Sequence, residues 1–86
     1  MNRADARQAV YQLIQHWLDS PRVLDDNSRL RDLGLDIEDI EALLWRLEDR
    51  FDLSLSPRAE EHWVEQMHSV DDLIRFVLMI SWQNEG

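Results

Sequence analysis

The chain has 86 residues, with eighteen Asp and Glu against nine Arg, no Lys and a net charge of −9. That balance excludes a binder that tracks nucleic-acid phosphates, which needs a basic stripe, and it argues against an anionic membrane surface. The absence of Cys removes any disulfide framework, thiolate nucleophile or Cys-based zinc site and makes the cytosol the simplest compartment. Helical periodicity dominates, and β-branched runs are absent. Ala6, Val10, Leu13, Ile14 and Trp17 recur at three- and four-residue steps and predict a first helix over about 3–18, which Pro21 stops. A second helix is expected over about 36–50, with Ile37, Ile40, Leu43, Leu44, Leu47 and Phe51 on one side. Asp36 can cap it, and Glu38, Asp39 and Glu41 crowd its positive end, where carboxylates are favoured. A third, over about 58–67, opens after Ser56-Pro57, since proline suits a first helical position. A fourth runs over about 69–82 behind Ser69 and Asp71-Asp72, with Val70, Leu73, Ile74, Val77 and Ile80 as its buried stripe. The predicted architecture is all-α, a single domain over the whole chain, folded as a small antiparallel four-helix bundle.

The polar start, Met1 to Arg7, lacks the apolar core of a signal peptide, and the longest apolar stretch, Phe76 to Ile80, is far too short to span a bilayer. The connection from Asp19 to Leu35 is long for a compact domain, and such loops usually have a purpose. Val23, Leu24, Leu30, Leu33 and Leu35 are spaced as anchors that pin it onto the bundle.

Asp32-Leu33-Gly34-Leu35-Asp36, followed by Asp39, Leu43, Leu47-Glu48-Asp49 and Phe51, resembles the acyl carrier protein pattern around its second helix. Asn27-Ser28-Arg29-Leu30 is similar to the stretch that enters that motif. The likeness extends through Leu53-Ser54-Leu55 and resumes at Ser69-Val70-Asp71-Asp72-Leu73-Ile74, so it covers most of residues 6 to 78. It implies a bundle with a long loop between its first two helices. It also implies a 4′-phosphopantetheine arm on a Ser at the start of the second helix, where the family reads Asp-Ser-Leu. Here the triplet is Asp36-Ile37-Glu38. Transfer of the arm needs a hydroxyl oxygen to attack the pyrophosphate of coenzyme A, and an Ile side chain has no nucleophilic atom. Glu38 also replaces an apolar residue that the family's partners commonly contact. No other Ser can substitute, because none lies between Arg29 and Leu53. No bound cofactor is therefore expected. Ile37 has two readings: it caps the core or fills a groove where an acyl chain would enter, or it offers a partner an apolar contact.

What remains is the surface. On a wheel of about 100° per residue starting at Ile37, the apolar residues fill about 240° to 360°. Glu48, Glu41, Glu38 and Asp49 fall between about 20° and 120°, with Trp45 near 80°. Such charge runs are often no more than solvated faces, whereas Trp is enriched as an anchor at protein interfaces. In the carriers this resemblance points to, the same face docks onto basic patches of enzymes. Carried over by position, the docking residues are Glu38, Asp39, Glu41, Trp45, Glu48 and Asp49.

Other chemistry is weakly represented. His16, His62 and His68 contain no i,i+4 pair for a metal. Asp25-Asp26-Asn27 with Asp32 lacks the Gly and terminal Glu of a calcium loop. No phosphate cradle is present, and no catalytic residue is assigned, so the expectation is a non-enzyme. The leading reading is a cytoplasmic, carrier-like adaptor without the arm, docking onto a protein with a basic patch in fatty-acid, polyketide or related acyl-group metabolism. The alternatives are a true carrier modified in an atypical way, or a helical interaction or regulatory subunit related to carriers only in architecture. Met79 and Trp82 could support a weak dimer; a monomer is equally consistent with them.

Overall fold

A computed structural model describes residues 1–18, 23–52 and 55–85, with side chains described as far as Ser81. Pro21, Leu53, Ser54 and the side chain of Trp82 lie outside the described residues, and so do the expectations placed on them. Among the described residues four helices follow in chain order: α1 (Arg3–Trp17), α2 (Ile37–Arg50), α3 (Pro57–Gln66) and α4 (Val70–Glu85). Their order and ranges follow the sequence expectation to within a residue or two, except that α4 continues three residues further.

Each start has a local chemical cause. The first turn of a helix leaves backbone N–H groups without intrahelical partners. Asn2 accepts one of these from Asp5 at 2.8 Å, and Ser56 accepts one from Ala59 at 3.2 Å, with Pro57 in the first helical position. At α4 the Asp72 carboxylate takes the N–H groups of His68 and Ser69, at 2.9 and 3.0 Å.

The core is one cluster. Ala6, Val10 and Ile14 of α1 meet Leu43, Leu44 and Leu47 of α2, and the Val70, Leu73, Ile74, Phe76, Val77 and Ile80 side of α4. α1 packs on α4, and α2 packs on α3. α3 itself buries no residue completely. It leans on the core through Trp63, whose ring lies 5.2 Å from that of Phe76, and through Val64.

The long connection is a packed strap. Leu30, Leu33 and Leu35 are buried and Leu24 is half-buried against the core, as their spacing suggested. Val23 is the exception. It is 98% exposed and anchors nothing. The strap is also sewn to the start of α4 by backbone bonds, Leu30 N–H to His68 C=O at 3.0 Å and Val70 N–H to Ser28 C=O at 2.9 Å. Gly34 closes the turn ahead of α2 with φ of 85°, a left-handed conformation that glycine adopts without steric cost.

Asp26 holds the strap against α1. Its carboxylate accepts from Arg7 Nη2 at 2.6 Å, Tyr11 Oη at 2.6 Å and Arg3 Nη2 at 3.2 Å. Arg3 also pairs with Asp71 of α4, and Arg75 reaches the same carboxylate at 2.9 Å. Arg7 and then Tyr11 hold the Asp26 carboxyl down at about 2. Burial, followed by the bond to Asp26, pushes the Tyr11 phenol up to about 12.

Candidate docking site

The start of α2 is rigidly built. Asp36 accepts the Asp39 N–H at 3.0 Å while Asp39 accepts the Asp36 N–H at 3.1 Å, a reciprocal cap that satisfies two donors at once. Ile37 is the first residue inside this cap. It is 65% exposed, so it does not cap the core, and that part of its first sequence reading is corrected. It is the first residue of the helix, and the buried stripe begins one turn further on, at Ile40.

Along the outer face, Glu38, Glu41 and Asp49 are exposed, and Trp45 is 58% exposed. Ile37, Glu41 and Trp45 follow one another at four-residue spacing and therefore form one row along the helix. Arg46 turns away, its guanidinium lying 5.1 Å from the ring centroid of Trp17. Asp39 is half-buried and its carboxylate is engaged in the cap, so it stands behind the face rather than on it.

Glu48 is the second correction. Expected on the acidic strip, it is 7% exposed. Its place on the wheel, only about 20° beyond the apolar arc, left it on the border. The border is decided by the chain after α2, which folds back so that the Leu55 N–H donates to Glu48 Oε1 at 2.8 Å. Burial pushes the Glu48 carboxyl up against the opposing pull of the Leu55 N–H, and the Glu60 carboxylate, which accepts a hydrogen bond from the protonated Glu48, pushes it the same way as burial.

Beside the exposed row runs a groove of about 1460 Å³ between the strap, the first turns of α2, and α3. Ile37, Ile40, Val64 and Met67 line it, and Glu41, Glu61 and Glu65 stand on its rim. The contribution of α3 was missed from the sequence. Its signal was the four-residue step from Glu61 to Glu65 with Val64 between them, in a helix whose few apolar residues gave no reason to assign it a functional face. Among the described residues no cluster of His, Asp and Glu could hold a metal ion, and no helix is long and apolar enough to cross a membrane.

Four helices, a strap threaded between the first and second, and a second helix that begins behind an Asp cap define the acyl-carrier-like fold. The crystal structure of the acyl carrier protein from Thermotoga maritima has this fold. It superposes with a TM-score of 0.77, covering 100% of this chain and 96% of that one, at 20% sequence identity. No protein-family model matches the chain, and no curated protein does either.

Proposed function

We propose that this chain is a non-catalytic adaptor, a carrier-like domain that holds no 4′-phosphopantetheine and works by docking the outer face of α2 onto another protein. The observation that carries this reading is Ile37. It stands exposed in the first position of α2, directly after the capping Asp36, where the resemblance to carriers calls for the arm-bearing Ser. A hydrocarbon there leaves nothing to form the phosphodiester. The face that remains offers Glu38, Glu41 and Asp49 around the Trp45 indole. Its partner is therefore a protein with a basic patch, an enzyme or regulator of fatty-acid, polyketide or related acyl-group metabolism in the cytoplasm. Attraction between such a patch and a domain of charge −9 speeds encounter and weakens as salt rises.

The decisive measurement is intact mass after incubation with coenzyme A and a phosphopantetheinyl transferase. The wild-type mass stays unchanged, whereas a gain of about 340 Da, the mass of the arm, would overturn the proposal in favour of an atypical true carrier. For the docking face, Trp45→Ala and Glu41→Arg each weaken partner binding by about tenfold or more while the helical circular dichroism is retained. The low identity to the Thermotoga maritima protein and the absence of a family match support a second reading, a helical interaction subunit that shares only architecture with carriers. A partner unconnected with acyl chains distinguishes it.

A further inference from the structure

Resting on this docking reading, we infer that the groove beside α2 is the seat for an apolar side chain carried on a cationic amphipathic helix of the partner. Three observations lead there. The groove's lining is apolar at Ile37, Ile40, Val64 and Met67, and Ile37 at its mouth is 65% exposed, so hydrocarbon stays in water until something covers it. The charges around it are unequal: Asp32, Asp36, Glu41, Glu61 and Glu65 stand against Arg29 and Arg31. That imbalance selects the occupant. A fatty acid would bring its own carboxylate into an acidic surround, whereas Lys or Arg flanking an apolar anchor meets opposite charge. Among the described residues the ion pairs gather at the strap, α1 and α4, leaving Glu41, Glu61 and Glu65 uncommitted to internal pairs.

Continuity gives the third observation. Ile37, Glu41 and Trp45 form one row, so the groove's mouth runs directly into the docking face. A single helix laid along that row can place an apolar residue in the groove, basic residues against the carboxylates and a further contact on the indole. This is the helix-in-groove mode of recognition, in which anchors at helical spacing give affinity and flanking charge fixes orientation.

The test uses the full chain, labelled with nitrogen-15, titrated with a synthetic amphipathic helix of Leu and Lys. A scrambled peptide of the same composition and sodium laurate serve as comparisons. Saturable binding is expected, with the largest amide shifts at Ile37, Ile40, Val64 and Met67. Binding weakens about tenfold for Ile37→Asn and for the scrambled peptide. Because Ile37 is exposed, its variant keeps the fold; Val64→Thr, which swaps a methyl for a hydroxyl, checks the groove from α3. Equal binding by the scrambled peptide or by Ile37→Asn would overturn the proposal, since charge alone would then suffice. Laurate shifting the groove amides while the peptide leaves them unmoved would also overturn it, in favour of a lipid site. A loss confined to Trp45→Ala breaks the groove and leaves the docking face standing. Losses in Ile37→Asn and Val64→Thr without one in Trp45→Ala break the docking face and leave the groove.

Discussion

The two sides of this bundle handle charge in opposite ways. Where the strap crosses α1 and α4, Arg3, Arg7 and Arg75 meet Asp26 and Asp71 in direct pairs, and the Tyr11 phenol joins them. Along α2 and α3, carboxylates stand beside one another, and the buried one, Glu48, has another carboxyl, Glu60, as its neighbour. The first arrangement ties three elements together. The second accumulates negative potential on a surface with exposed Ile and Trp at its centre. One side is tied together by its own ion pairs, and the other leaves Ile37, Glu41 and Trp45 exposed.

The largest effect that separates the two sides is packing. Leu30, which is fully buried beneath the strap, should cost about 2–5 kcal/mol when changed to Ala. Val64→Ala on the half-buried groove wall should cost less than about 1 kcal/mol. Urea unfolding of the two variants reads the difference, and equal losses would break the comparison. Gly34→Ala comes next. A Cβ there meets nothing within 4 Å, so only the backbone at φ of 85° is strained, and the expected loss is about 1 kcal/mol.

The finest distinction is in pH, where the two sides carry opposite signs. The Asp26 carboxyl is held at about 2, below the usual 3.8, first by Arg7 and then by Tyr11. Its contribution is complete above that usual value and is lost as pH falls toward 2. Asp26→Asn should remove this acid limb from a plot of Tm against pH. Glu48 is displaced upward, first by burial and then by Glu60. Its contribution is fullest below the ordinary carboxyl range and is lost as pH rises through the raised value. Glu48→Gln keeps the acceptor for the Leu55 N–H. It should therefore raise the urea midpoint near about pH 7 and leave it unchanged near about pH 4.

The fold was largely legible because its signals are local. Asp36, Ser56 and Ser69 announce helix starts, and the three- and four-residue steps through α1, α2 and α4 name the core. The strap anchors at Leu30, Leu33 and Leu35 were legible for the same reason, hydrophobic residues in a stretch too long to be idle. What escaped depends on distant parts of the chain. Glu48 lies on the border of its helix's apolar arc, and only the returning segment at Leu55 turns it inward. Val23 has the composition of an anchor but no surface to meet. Ile37 reads as the start of an apolar stripe, but burial begins a turn later at Ile40, and the groove needs α3 beside α2, a proximity that no periodicity encodes.

Two of the four indoles lie in contrasting places and make separate optical reporters. Trp45 sits in solvent on the outer row of α2, while Trp63 rests its ring against Phe76 under α3. Covering the first shifts its emission to the blue without disturbing the second, and melting the bundle moves the second to the red. Encounter and unfolding can thus be followed by fluorescence without a label, in a chain where Trp17→Phe and Trp82→Phe remove the other two emitters and Trp45→Phe and Trp63→Phe assign each remaining signal to its source.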